Sequence, residues 1–341
     1  MPRSATGLRY NRPMASETPS LAQPLRVLCL TMNPAVDLAT ETERVVSTHK
    51  LRCGDTRHDA GGGGVNVARV LTRLGGHCTA VCPTGGSSGQ WLQKRMREEG
   101  LDSVFLPIAE ETRVSFTVHE HSTGAEFRFV MPGPHLSEAE WQGCLHGLEA
   151  LQPFPDLLVA SGSLPPGVPT DFYARLARLC RAKGARLVLD TSGPALAAAL
   201  AEGVYLFKPN LKELGELSGQ PLQSAEQWQA AAQQLVLDGQ AEVVALTLGH
   251  LGAVLVTRDA VWSAPPLDVP VVSAVGAGDS FVGGLVWALQ RGLPVAQAFT
   301  WGVAAGTATL LSAGTALCRP EDVQRLQPQV ALTRRDGEPA R

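Results

Sequence analysis

The sequence predicts a three-layer α/β fold with a mostly parallel central sheet and a small β-lid. Three observations carry that prediction. Short apolar runs alternate with amphipathic stretches of helical spacing. Two segments break the alternation with strand-like or polar patterning. Glycine-rich turns stand where helices begin.

The alternation starts at residues 26–32, Arg-Val-Leu-Cys-Leu-Thr-Met, an apolar run of strand length. Residues 64–74 then place Val67, Val70, Leu71 and Leu74 on one helical face. A strand at 79–82 and a helix at 91–99 follow. Later strands are expected at 156–160, 186–190, 205–208 and 242–247, with helices between them, and 278–311 reads as two consecutive helices. Strands separated by helices imply βαβ units, because a parallel neighbour needs a long crossover.

The first departure, 38–60, is polar and carries no helical pattern. The second runs through 113–130, with Val114, Phe116 and Val118 on one face and a polar turn at 122–124, and reads as a hairpin. Lid insertions are therefore expected at about 38–60 and 112–131, inside one domain of residues 25–332. Residues 1–24 contain Arg3, Arg9 and Arg12 without a continuous apolar stretch. They read as a disordered extension, and 333–341 as a disordered tail.

Composition narrows the function classes. The chain has 341 residues, 44% hydrophobic, with a net charge of -3, so it has no basic excess for nucleic acid. No apolar stretch reaches membrane length. The seven cysteines are odd in number and include no C-x-x-C pair, which fits free thiols in a reducing cytoplasm.

Several phosphate and nucleophile motifs are absent. There is no G-x-x-x-x-G-K-[ST] and no G-x-S-x-G. Gly276 and Gly278 begin a G-x-G-x-x-G, but Phe281 fills the third glycine position, so a dinucleotide fingerprint fails. What remains is Gly276-Ala277-Gly278-Asp279 at a helix mouth. Glycines there let N–H groups face an anion, and a carboxylate beside them is placed to take a proton from an attacking hydroxyl. An Asp cap after a glycine turn is the plainer alternative.

The run Gly61-Gly62-Gly63-Gly64-Val65-Asn66 permits close approach of a ligand to backbone, with Asn66 beside sugar hydroxyls, or is simply a tight turn. Asn210 and Glu213 share a face at a helix start. They suit Mg²⁺ held through water near nucleotide phosphates, or a reciprocal cap, or both. Arg113 and Arg128, on the two arms of the hairpin, suit a phosphate clamp or a solvated sheet face, with the Ser163 hydroxyl available to the same phosphate.

Together these motifs resemble the ribokinase-like (PfkB-type) carbohydrate kinases over residues 27–327. The carriers are Asn33-Pro34-Ala35-Val36-Asp37, the glycine run with Asn66, the segment 161–167, the segment 208–213, Thr247-Leu248-Gly249 with Gly252, and Gly276-Ala277-Gly278-Asp279-Ser280. The resemblance implies ATP-dependent phosphorylation of a sugar phosphate, with Asp279 as base and the Gly276, Ala277 and Gly278 amides around the moving phosphoryl group. It implies that Asp37, Gly62, Gly63 and Asn66 hold the sugar, that Arg113, Arg128 and Ser163 hold its phosphate, and that Lys50 reaches ligand across a homodimer formed by the lids. Lys208, Asn210, Thr247, Gly249 and Gly252 are implied at the ATP site, with Glu213 and Asn210 organising Mg²⁺ through water. A K⁺-type site of backbone carbonyls is implied near Ser273, Val275, Ser312 and Gly314, although Ala316 stands where a similar sequence carries arginine.

Family members acting on fructose 1-phosphate or tagatose 6-phosphate usually carry lysine in the first glycine motif, where this chain has Gly63. With Lys50-Leu51-Arg52-Cys53 and the segment 128–133, this is similar to the branch that phosphorylates fructose 6-phosphate at the C1 hydroxyl, a step of glycolysis. Those two other ketose phosphates stay open as substrates. So does a sugar-phosphate sensor without catalysis, which would have no need of Asp279.

Overall fold

The strand β1 (Val27–Leu30) is buried on both sides. Leu28 and Leu30 enter one apolar cluster, while Val27 and Cys29 enter another. A strand that alternates between two cores must lie between two helix layers.

The computed structural model describes residues 24–336. After β1 come β2 (Ala35–Thr42), β3 (Arg57–Gly61), α1 (Gly63–Arg73), β4 (Cys78–Thr84), α2 (Gly86–Glu98), β5 (Asp102–Pro107), β6 (Arg113–Glu120) and β7 (Glu126–Phe129). The chain continues through α3 (Glu138–Glu149), β8 (Leu157–Ser161), α4 (Phe172–Ala182), β9 (Arg186–Asp190), α5 (Gly193–Leu200), β10 (Val204–Phe207), α6 (Leu211–Ser218), α7 (Ala225–Leu237) and β11 (Ala241–Thr247). It ends with β12 (Ala253–Thr257), β13 (Ala260–Ala264), α8 (Ala277–Gln290), α9 (Val295–Thr309), α10 (Pro320–Leu326) and β14 (Thr333–Asp336).

Ten strands form the main sheet in the order β14-β13-β12-β11-β10-β9-β8-β1-β4-β5. From β11 to β5 every pairing is parallel; β11 to β14 pair antiparallel. Helices α3 to α7 cover one face through residues such as Trp141, Leu176, Leu196 and Leu214. Helices α1, α2, α8 and α9 cover the other through Val67, Leu92, Leu285 and Phe299. No described helix is long and apolar enough to cross a membrane, and all seven cysteines are free.

The lid is a separate four-stranded sheet, β3-β2-β6-β7. It contains the hairpin read from the alternation, and also β2 and β3, which take up the two ends of the polar segment 38–60.

Two features depart from the expectations. The tail expected to be disordered from residue 333 instead contributes β14, paired with β13 along the sheet edge; edge backbone recruits a strand wherever its N–H and C=O groups are unpaired. The expected extension lies outside the described residues except for Pro24, as do residues 337–341. Helix α2 starts at Gly86, ahead of the periodic residues. The Glu111 carboxylate holds that turn, accepting from the Ser88 N–H at 2.8 Å and the Ser87 hydroxyl at 2.7 Å. These bonds lower its pKa to about 2.

Leu176 on α4 is fully buried. Leu176→Ala should cost roughly 2–5 kcal/mol, read as a lower urea midpoint with an unchanged m-value.

Candidate active site

Two helix N-termini, those of α1 and α8, meet above the carboxyl end of the sheet. The glycine run before α1 is dictated by packing. Gly62 has φ 104°, a conformation that side chains disfavour. A Cβ at Gly61 would lie 2.1 Å from Asp37 Oδ2, and one at Gly63 would lie 2.2 Å from Ser161 Oγ. The backbone thus passes against Asp37 on one side and the Ser161-Gly162 turn on the other.

At α8, Gly276 begins the helix with φ 76°. Asp279 is the third helical residue, and its carboxylate does not cap the helix. Asp279 Oδ2 instead accepts from Asn66 Nδ2 at 2.9 Å. Helix α8 is fixed close to α1 because Gly283 has no Cβ: one there would meet Val70 Cγ1 at 2.6 Å.

Asp37, Gly62, Gly63, Asn66, Arg113, Arg128, Gly276 and Asp279 all line one cavity of about 220 Å³. Burial is the main reason that the Asp279 pKa rises to about 7; Asp190 and Asp37 add to the rise, while Asn66 and Lys208 oppose it. Burial also raises the Asp37 pKa, against the opposing pull of Arg113, Arg128 and Arg69.

Lys208 is buried beneath α8, with its Nζ 3.1 Å from Asp190 Oδ1 and 3.5 Å from where a Gly278 Cβ would lie. Burial works against its charge, but Asp190, Glu213 and Asp279 outweigh burial and raise its pKa. Asn210 and Glu213 form a reciprocal cap: Asn210 N–H donates to Glu213 Oε2 at 2.8 Å and Glu213 N–H to Asn210 Oδ1 at 2.9 Å. Glu213 Oε1 takes no hydrogen bond among the described residues. Thr247 bridges to Asn210 across the strands. Gly249 and Gly252, with φ 60° and 96°, shape the turn that follows.

On the lid, Arg128 is registered opposite Thr117 rather than Arg113, so the two arginines are offset along the hairpin. Arg113 is anchored by donating to the carbonyls of Met131 at 2.7 Å and Asn33 at 2.8 Å. Ser163 lies outside the cavity lining and accepts from Asn33 Nδ2 at 3.3 Å. Lys50 is exposed and is not among the lining residues.

The lid is docked onto the loop before α8 and the loop after α9. Ser273 Oγ donates to Glu126 Oε2 at 3.0 Å. Arg57 Nη2 donates to the Ala313 carbonyl and Thr315 Oγ1, each at 3.1 Å. In these loops the carbonyls of Ala274, Gly276 and Ala313 accept hydrogen bonds, whereas among the described residues those of Ser273, Val275, Ser312 and Gly314 do not. The Ala316 carbonyl is taken by Arg73 Nη1 at 2.6 Å.

Ser115, Thr117, Thr315 and, behind Lys208, Asp190 were not singled out in the sequence. Ser115 Oγ is buried without a partner and belongs to the cavity lining. Period two from Arg113 reaches Ser115 and Thr117; nothing local marks Asp190.

Residues 30–322 match the model of the pfkB family carbohydrate kinases. Over 300 residues the chain is 45% identical to the ATP-dependent 6-phosphofructokinase isozyme 2 of Mycobacterium tuberculosis, covering 88% of each protein. It is 35% identical over 309 residues to the 1-phosphofructokinase of Bacillus subtilis, covering 90% of this chain and 99% of that one. The crystal structure of phosphofructokinase-2 from Escherichia coli in complex with potassium is similar, with TM-score 0.86, 37% identity and coverage of 89% of this chain and 99% of that one.

The raised pKa of Asp279 has a consequence for stability. Between its ordinary pKa of 3.8 and about 7 the folded protein holds a proton that the unfolded chain has released. That contribution is lost as pH rises through 7. Asp279→Asn should therefore raise the melting temperature at pH 8, by an increment that shrinks at pH 5; equal increments at both values would contradict the assigned shift.

Proposed function

Because this chain belongs to the pfkB family of carbohydrate kinases, we propose that it transfers the γ-phosphoryl group of ATP to the C1 hydroxyl of fructose 6-phosphate, giving ADP and fructose 1,6-bisphosphate in glycolysis. The observation that carries this reading is the opening of the Asp279 carboxylate onto the cavity that Asp37, Arg113 and Arg128 also line.

In this reading Asp37 and Asn66 hold sugar hydroxyls, and Arg113 and Arg128 bind the 6-phosphate, with Ser163 beside them. The C1 oxygen attacks the γ-phosphorus as its proton passes to Asp279, and the bond to the ADP oxygen breaks. A pKa near 7 suits a base that works at neutral pH. The Gly276, Ala277 and Gly278 backbone and Lys208 face the charge spread over the moving phosphoryl group. The ATP lies along Lys208, Asn210, Thr247, Gly249 and Gly252.

Mg²⁺ normally keeps waters and takes few protein ligands, which fits Glu213 and Asn210 with Oε1 outside the cap; it would neutralise phosphate charge. The donor-free carbonyls of Ser273, Val275, Ser312 and Gly314 fit a K⁺-type ion, which would offset charge near α8.

Gly63, where family members acting on fructose 1-phosphate or tagatose 6-phosphate usually carry lysine, supports fructose 6-phosphate as the substrate; a side chain there would meet Ser161 Oγ. A homodimer through the lids is supported by the exposure of Phe129, Val130 and Met131, which are 44%, 60% and 38% exposed. In such a dimer Lys50 would serve the partner's site. The free cysteines suit a cytoplasmic setting.

A coupled ADP-release assay over the three phosphosugars tests the substrate, with the highest kcat/KM expected for fructose 6-phosphate. Asp279→Asn should lower kcat by about 10²–10⁴ with little change in KM; turnover near the parent value would remove Asp279 as base. Arg113→Ala and Arg128→Ala should chiefly raise KM for the phosphosugar, about tenfold or more for loss of a charge-assisted contact. An unchanged KM in both would put the phosphate elsewhere.

A further inference from the structure

Arg69 stands on α1, one turn after Asn66, and is 1% exposed. Its Nη1 donates to the Ala60 carbonyl at 2.8 Å and to Asn66 Oδ1 at 3.3 Å. Nε and Nη2 donate to the Glu99 carboxylate at 2.7 and 3.1 Å, and Nη2 also to Asp59 Oδ1 at 3.3 Å. Arg69 lines no part of the cavity.

The Asn66 amide is held from both ends. A guanidinium can only donate, so the amide oxygen must face Arg69. The amide nitrogen is then turned to Asp279 Oδ2, 2.9 Å away. Rotated by half a turn, Asn66 would set N–H against a donor and oxygen against the carboxylate. We infer that Arg69 is a positioning residue for the base, fixing the Asn66 amide so that a donor meets Asp279. The bond to Ala60 adds to this, because it holds the residue directly before the glycine run from which α1 starts. The inference rests on the reading of Asp279 as base.

The charges around Asp279 make that donor matter. Asp37 from β2 and Asp190 at the end of β9 disfavour the carboxylate, as does burial; Asn66 from α1 and Lys208 after β10 favour it. With the donor lost, the Asp279 pKa rises further, and the acid limb of activity moves up in pH. Phosphate groups of the substrates titrate nearby, but equally for every variant, so differences between variants report the protein.

The test uses the full chain with MgATP and fructose 6-phosphate, assayed from pH 5.5 to 9, a range set around the Asp279 pKa of about 7. Arg69→Lys keeps a charge for Glu99 and Asp59 but loses the fork that reaches Ala60 and Asn66 together. It should shift the acid limb of kcat/KM up by about half to one pH unit and lower kcat about tenfold, with both KM values within about threefold. Glu99→Gln removes an outer partner of Arg69 and should lower the melting temperature while leaving the limb in place. Asn66→Ala should shift the limb as Arg69→Lys does, and the double variant no further.

An unmoved limb in Arg69→Lys, or an equal shift in Glu99→Gln, overturns the inference. Should Arg69→Lys not fold, an unmoved limb in Asn66→Ala overturns it. Asp279→Asn in the same assay separates the two readings. Retained turnover there defeats the base itself, whereas lost turnover with an unmoved Arg69→Lys limb defeats only the positioning role.

Discussion

The hydrogen bond from Asn66 to Asp279 joins the first turns of α1 and α8, and the rest of the site is arranged around that joint. Both helices present N-terminal N–H groups to the same space, an arrangement that favours negative charge. It is possible only because the backbones approach closely: Gly61, Gly63 and Gly64 before and within α1, and Gly283 on α8, each leave no room for a Cβ. A side chain at Gly61 would displace Asp37, one at Gly63 would meet the Ser161-Gly162 turn, and one at Gly64 would push α1 off β1.

Charge crowding is the cost of this closeness. Asp190 and Asp37 disfavour the charge on Asp279, and the buried Lys208 favours it. Were it fully ionised, the cluster would repel itself. The protein instead lets Asp279 keep a proton until near neutral pH. A strained electrostatic arrangement at a functional site, supported by packing elsewhere, is a usual exchange of stability for activity.

Polar contacts tie the lid to this centre, beside the apolar packing of Val36 and Ala60 into the core. Asp59 takes Arg57, Arg69 and Thr315 at once, linking β3, α1 and the loop after α9. Glu126 reaches Ser273 on the loop before α8. The strand that carries Arg128 is therefore held against the loop before α8, and β3 against the loop after α9.

Much of this was legible in the amino-acid order. Period two in the strands, period 3.6 in α1 and α2, and the glycines before α1 and α8 are local patterns, and they determine a layered α/β chain with a lid and mark Asp279 and Asn66. Other features were decided only by folding. Glu111 starts α2 from a distant loop, β14 forms because β13 offers an open edge, and Arg128 falls opposite Thr117 because of how the hairpin registers. Asn66 and Asp279 are 213 residues apart. No local pattern records their bond, nor the nearness of Asp190. Sequence determines which residues can form elements and carry protons; a carboxylate's pKa depends on burial and on charges within a few ångströms, and those distances exist only in the tertiary structure.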